Sequence, residues 1–253
     1  MDDFPERIDL DASPAAFESG HLWLFERVTG LPLRVGLRPD GQIRFGDDRR
    51  VFQPGETPAA YRPAIDAVRA SFARERLRGA VEDVTTVTVF GTATCYHGID
   101  YDWEALPAYL VTDIRTTDGL LGPDEMVRSS ERLGLTPAPV VEKERRADAF
   151  DPSSEPFPES TYGDEPAAGL DVADKRGTRG RLRNDAVTEP DDPGFADVED
   201  AVVSLLTDER AGQSVDDTTD RIVRRCYGTL RAAGVDIEDS EFTSTVAKTL
   251  QRR

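Results

Sequence analysis

The sequence predicts an α+β fold built on antiparallel sheets, and three observations predict it. Short segments rich in β-branched, aromatic and alternating apolar residues recur between residues 22 and 185. Two segments with helical spacing interrupt them, and tight-turn signals such as Asp40-Gly41 join neighbouring segments. After residue 195 the strand signals fade and three helical stripes take over.

In order, "LWLFERV" (22–28), "LRVGLR" (33–38) and "QIRFG" (42–46) read as strands, the last two joined at "RPDGQ". Residues 58–78 predict one helix, with Ile65, Val68, Phe72 and Leu77 near helical spacing and Pro58 and Pro63 near its start. "TTVTVFGTAT" (85–94) and "AYLVTDI" (108–114) predict strands. "GPDEMVRSSERLGL" (122–135) predicts a helix, with proline and acids in its first turn and Gly134 as its stop. "APVVE" (138–142) predicts a short strand, and the Pro-, Ser- and acid-rich residues 150–166 a surface loop. Residues 168–174 and 178–185 pair as a hairpin, and 187–194 form a linker. The stripes Val198/Val202/Leu205, Ile222/Val223/Cys226/Leu230 and Phe242/Val246/Leu250 predict a small all-α C-terminal module at 195–253, which could present an apolar helix face to a protein partner.

Composition bounds the function classes. The chain of 253 residues carries 49 acidic and 31 basic residues, a net charge of −18, and only three of its basic residues are lysines: Lys143, Lys175 and Lys248. Arginine-rich, lysine-poor acidity of this kind fits a salt-filled cytoplasm, where screening suppresses self-repulsion. It excludes non-specific nucleic-acid binding by the surface as a whole, but not a local basic groove. Two cysteines make no disulfide framework. The N-terminus "MDDFPERIDL" lacks the apolar run of a signal peptide, and no apolar stretch is long enough for a membrane span. The expectation is a soluble cytoplasmic protein.

Glu26-Arg27-Val28-Thr29-Gly30, Phe90-Gly91-Thr92, Ala168-Gly169-Leu170-Asp171 and Arg181-Leu182-Arg183 follow one another across residues 17–185 in an order that resembles the RNA ligase family of covalent nucleotidyltransferases, which includes DNA ligases and mRNA capping enzymes. The family's E-K-x-D-G motif aligns with Glu26-Arg27-Val28-Thr29-Gly30, and its R-F-G-x-R segment with "IRFGDDRR" (43–50). Its F-G-E strand aligns with Phe90-Gly91-Thr92, and the strand after it with "LVTDI" (110–114). "LGLTPAPVV" (133–141), Ala168-Gly169-Leu170-Asp171 and Arg181-Leu182-Arg183 match the family's later helix-turn, E-G-x-V and basic-strand motifs. The resemblance implies an ATP-grasp-like RNA/DNA ligase nucleotidyltransferase domain at 17–185. It also implies adenylate transfer from ATP to a lysine and on to an RNA 5′-phosphate, with Mg²⁺ as cofactor.

The departures fall on that chemistry. Arg27 occupies the nucleophile position, and a delocalised guanidinium that stays protonated is a poor nucleophile. Thr29, Thr92 and Ala168 occupy positions where the family has carboxylates, the groups a divalent metal prefers. No lysine lies where it could take over. The sequence therefore predicts a degenerate member with no catalytic residues and no metal ligands. It would bind a nucleotide or RNA end through Glu26, Arg27, Gly30, Arg34, Arg49, Thr92, Gly169, Arg181 and Arg183. The alternatives are an active ATP-dependent RNA ligase that forms a protein–AMP intermediate, and a structural, partner-binding protein that uses the helical tail.

Local features carry two readings each. Arg27 either binds phosphate as a fork or pairs with an acid on a neighbouring strand. Glu26 either contacts an adenine or flanks its strand. "KRGTRGRLR" (175–183) is either an RNA or polyphosphate contact or a solvated hairpin balanced by acids. Tyr96, Tyr101 and Trp103 either stack on bases or pack beneath their loop. Cys95 and His97 are too few to make a structural zinc site.

Overall fold

The structure, a computed structural model, describes residues 1–17, 19–53, 57–95, 99, 101–187, 242, 244, 245 and 248. In chain order the elements are β1 (Ile8–Asp9), β2 (His21–Glu26), β3 (Gly30–Leu37), β4 (Ile43–Gly46), α1 (Arg62–Ser71), α2 (Arg74–Ala80), β5 (Thr88–Thr94), β6 (Tyr109–Thr116), β7 (Gly119–Leu120), α3 (Pro123–Arg132), β8 (Val140–Arg146), β9 (Gly169–Asp174) and β10 (Arg179–Arg183). They form two five-stranded sheets, ordered β1-β10-β9-β2-β8 and β4-β3-β5-β6-β7. All strand pairs but β1–β10 are antiparallel. The α+β architecture with two antiparallel-rich sheets is present; the expected C-terminal helical module lies outside the described residues apart from Phe242, Ser244, Thr245 and Lys248.

The apolar run in β2 is continuous because both faces of the strand are covered. Trp23 and Phe25 join the central core with Leu33, Val35, Val89, Val111 and residues of α1 and α3. Leu22 and Leu24 point the other way, against Leu10, Phe17, Leu170, Val172 and Leu182. The period of two in β3 is equally clear: Leu33, Val35 and Leu37 face the core, and Arg34 and Gly36 meet the N-terminal arm.

Several elements differ from their predicted extent. The helix expected over 58–78 is two helices. The break falls at Phe72, whose backbone is extended, and at Ala73, whose N–H donates to the carbonyl of Leu133. Breaking there lets Phe72 and Leu77 both reach the core, which one straight helix would have to share among more widely spread positions. Residues 84–86 form a 3₁₀ turn held by Asp83 rather than the start of a strand, and β5 begins at Thr88. The strand expected at 138–142 runs on through the charged residues 143–146 as β8, an edge strand whose charged side chains are exposed but for Arg145, half-buried against Glu155.

The N-terminal residues, which gave no strand signal, belong to the fold. Ile8 and Asp9 pair in parallel with Gly180 and Arg181, and Leu10 is fully buried. Ahead of them the arm crosses to the second sheet. The Asp2 N–H donates to Thr88 Oγ1 at 3.1 Å, Arg34 donates to the Asp2 carbonyl at 2.8 Å, and the Phe4 ring lies 5.1 Å from that of Phe90.

A bulge in β6 fixes where the two sheets meet. Gly91 pairs with Val111 but Phe90 pairs with Asp113, so Thr112 is skipped and Asp113 turns to the face of Phe90. There Asp113, with no exposed surface, accepts from Arg179 Nε of β10 at 2.6 Å and from Arg7 of the arm at 2.5 Å. One buried carboxylate thus ties the second sheet to the first sheet and to the arm. Asp113→Ala leaves the buried Arg179 guanidinium without its acid and Arg7 with Asp171 alone, and is expected to cost about 3–5 kcal/mol. Urea denaturation of the variant measures this; a loss below about 1 kcal/mol would assign the junction to apolar packing instead.

Candidate functional site

A cavity of about 310 Å³ opens where the sheets and the arm converge. The end of β2 and the residues after it supply Glu26, Arg27 and Val28; β3 supplies Gly30 and Pro32; β5 and β6 supply Gly91, Thr92, Leu110 and Thr112. Asp171 of β9 and Arg181 of β10 form another wall, and Phe4, Pro5 and Arg7 of the arm form a third.

Of the nine residues proposed from sequence, Glu26, Arg27, Gly30, Thr92 and Arg181 line this cavity. The other four do not. Arg34 is buried beneath the arm, held by the Asp2 carbonyl and by Asp3 at 3.1 Å. Arg49 is exposed in a turn, where its backbone N–H donates to Asp47. Gly169 has a backbone reason for its identity: at φ +150° a Cβ would lie 2.3 Å from the Leu182 carbonyl oxygen, so the strands can approach closely only at glycine. Its own carbonyl accepts from the Arg27 N–H at 3.0 Å. Arg183 is exposed at the end of β10, near enough to Arg27 to act on its charge.

The charges around the cavity are unequally engaged. Glu26 is buried and both its oxygens are used, accepting from Ser160 Oγ at 2.6 Å and the Thr161 N–H at 2.9 Å. Asp171 accepts a two-pronged bond from its cross-strand partner Arg181, at 2.7 and 3.0 Å, and lies 3.6 Å from Arg7. Burial pushes the Asp171 carboxyl up, but Arg181, Arg7 and Arg27 outweigh it and hold its pKa down to about 2. Arg27 is half-buried, and its side chain donates to a neutral acceptor, the Ala168 carbonyl, at 3.2 Å. Burial lowers the Arg27 pKa below the ordinary arginine value, and the like charges of Arg181 and Arg183 lower it further, against the pull of Asp171.

The alternatives left open by the sequence separate here. Tyr101 and Trp103 are buried, with their rings edge-to-face at 5.8 Å, and the Tyr101 hydroxyl accepts from the Thr29 N–H. They pack beneath their loop. Thr29 is core, its hydroxyl donating to the Cys95 carbonyl at 3.0 Å, and the buried Ala168 sits in the same apolar cluster as Tyr101 and Trp103. His97, Tyr96 and Asp100 lie outside the described residues. No lysine lines the cavity. Lys175 pairs with Glu144 at 2.7 Å beside its hairpin turn, Lys143 lies over the Trp23 ring at 5.0 Å, and Lys248 is exposed.

The residues missed from sequence are those of the arm, with Asp113 and Asp171. The one available signal was faint: Ile8 and Leu10 alternate around Asp9 as a short strand would, and Arg7 is the only basic residue in an otherwise acidic opening.

The carboxylates lining the cavity are Glu26, Asp48 and Asp171. The oxygens of Glu26 and Asp171 are already bound by protein donors. Among the described residues no three His, Cys, Asp or Glu side chains gather into a metal-binding group. This donor set does not fit a resident divalent ion, which needs several free oxygens. Among the same residues, no helix is long and apolar enough to cross a membrane.

No protein-family model matches the chain, and no curated protein matches its sequence. Its fold is similar to that of Naegleria gruberi RNA ligase with PPi, at 14% identity and a TM-score of 0.55, over 74% of this chain and 56% of that one. A mutant of the same ligase with ATP and Mn is similar at 17% identity and a TM-score of 0.54, over 74% of this chain and 57% of that one. The chain thus spans little more than half the length of the ligase it is similar to, and the likeness is one of fold: an RNA ligase-like nucleotidyltransferase fold.

The ionised form of Asp171 stabilises the folded chain, because its folded pKa of about 2 lies below its ordinary value. The contribution, on the order of 2 kcal/mol, is complete above about pH 4 and disappears as the pH falls to about 2. Acid denaturation compared between the protein and Asp171→Asn checks this: the variant should lose stability at neutral pH and show a flatter dependence across that acid window.

Proposed function

We propose that this chain is a divergent RNA ligase-like protein that binds a nucleotide or the 5′-phosphate end of RNA in the cavity and does not form a covalent adenylate. The observation that carries the reading is the state of Arg27. It stands in the position where the family resemblance implies a nucleophilic lysine, half-buried at the cavity, with no acid among the described residues hydrogen-bonded to it and with Arg181 and Arg183 repelling it. A bound phosphate would relieve that repulsion and accept from the guanidinium fork. In a chain of net charge −18 such a site is a local exception, which is what selective anion binding requires.

Glu26 and Asp171 act on the walls, not on the ligand. Glu26 fixes the Ser160–Thr161 segment beside the cavity, and Asp171 orients Arg181. Arg27 and Arg181 supply the positive field, with Thr92 as a neutral hydrogen-bonding group and Gly30 and Gly91 allowing close approach of the strands. The solved ligases of similar fold are named with ATP and Mn, which supports a nucleotide as the ligand; any Mg²⁺ would arrive on the nucleotide's own phosphates. Nothing in the cavity offers an amine to attack an α-phosphate.

Incubation with ATP labelled at the α-phosphate, with Mg²⁺ or Mn²⁺, is expected to leave no label on the denatured protein while a lysine-dependent ligase labels in the same buffer. Label on Lys143, Lys175 or Lys248 would instead make the chain an active ligase. Equilibrium binding of ATP and of a 5′-phosphorylated RNA should weaken about 10- to 100-fold in Arg27→Ala, the loss of a hydrogen bond between charged groups. Equal affinity of the variant and the parent would sink the cavity as the phosphate site.

A further inference from the structure

A second concave surface lies beside the edge strand β4, apart from the cavity. It encloses about 420 Å³ and is lined by Arg38 after β3, Arg44 on β4, Arg69 on α1 and Arg74 at the start of α2, together with Phe45 and Phe52. Among the described residues that line it, none carries a carboxylate. That runs against the composition, in which acids outnumber bases 49 to 31. Gly30 and Pro32 reach the cavity at the start of β3, and Arg38 lies past the other end of that strand. At roughly 3.3 Å per residue the two sites stand some 20 Å or more apart along β3.

The arginines here are weakly engaged. The side chains of Arg38 and Arg44 make no hydrogen bond or ion pair with a described residue, and the Arg44 Nε is buried without an acceptor. Arg69 meets Asp66 at 3.3 Å across an exposed helical turn, and its guanidinium lies 5.5 Å from the centre of the Phe45 ring. Arg74 makes one long bond, 3.4 Å, to the Gly41 carbonyl. An exposed pair such as Arg69–Asp66 contributes little and exchanges readily for another anion.

We propose that this groove is a second anion site, which holds the phosphate backbone of a single-stranded nucleic acid. Four guanidiniums from three elements and the turn after β3 cannot be matched by one phosphate, whereas a string of phosphates presents a charge to each in turn. Phe52, half-buried with its ring 5.0 Å from that of Tyr61, supplies an aromatic ring at the groove for a base to stack on. The proposal stands apart from the cavity and from whatever the cavity binds.

The test uses the full chain and a short, fluorescently labelled oligouridylate with a 5′-hydroxyl, so that the cavity's reading of a 5′-phosphate does not contribute. Anisotropy is followed as a function of salt. The parent should bind, with affinity falling as salt rises. Arg38→Ala/Arg74→Ala, two exposed positions outside the core, should bind about tenfold more weakly or worse. Its salt dependence should be shallower by about 1.4 in the logarithmic slope, the share of two lost phosphate contacts. Arg69→Glu at the groove should weaken binding as well. Absence of binding by the parent at low salt, or equal binding by the parent and the groove variants, would overturn the proposal. Binding of inorganic polyphosphate without binding of oligouridylate would overturn the assignment to nucleic acid.

Discussion

The buried Asp113 carboxylate is the constraint on which the rest of the structure depends. Burying one carboxylate is costly unless it is paired and hydrogen-bonded on all sides. Here the partners come from two different places, Arg179 at the start of β10 and Arg7 in the arm. Satisfying that single group therefore fixes the position of the second sheet against the first and draws the arm into the junction. The bulge at Thr112 is the local device that makes this achievable, since without it Asp113 would face the apolar core. Arg7 then continues to Asp171 and Asp171 to Arg181, so the ion pairs that join the sheets also set the charge of the cavity wall.

That continuity explains the cavity's polarity. A carboxylate and a guanidinium cancel when they pair in a fixed geometry, as Asp171 does with Arg181; Glu26 is held by the Ser160–Thr161 segment, and Asp48, the third acid of the lining, is exposed. Arg27 is left with a carbonyl as its acceptor. Three guanidiniums, Arg7, Arg27 and Arg181, face three carboxylates in the lining, so what sets Arg27 apart is its neutral acceptor and not an excess of basic residues.

Much of the architecture was legible in the sequence, and the reasons differ by element. The buried strand β2 announced itself through an unbroken apolar run, β3 and β4 through the Asp40-Gly41 turn, and α3 through its proline start and glycine stop. The break between α1 and α2 was not legible, because it answers to a distant carbonyl, that of Leu133, and leaves the local pattern nearly helical. β8 was cut short because an edge strand can carry charge at every position. At the site, motif order placed Glu26, Arg27, Gly30, Thr92 and Arg181 around one cavity, since each sits on or beside a strand whose register the apolar pattern fixes. Arg34 and Arg49 lie away from the cavity, Arg34 because the arm covers it and Arg49 because the turn at Asp47 leaves it exposed. A two-residue strand such as β1 has too short a pattern to detect, so the arm and its contribution to the cavity emerged only from tertiary pairing.

The arm also bears on how the chain reaches this fold. Residues 1–10 find their partners on β3 and β5 and then on β9 and β10, so they are synthesised before all of them. Closing so long a loop costs entropy before any contact is made, and topologies dominated by such pairings fold slowly. Until β10 exists, Arg7, Leu10 and Asp113 have no complete set of neighbours, and the junction between the sheets cannot close. The slowest step of folding should therefore be the docking of the arm, and the site would be assembled last, in the same event that completes the sheet.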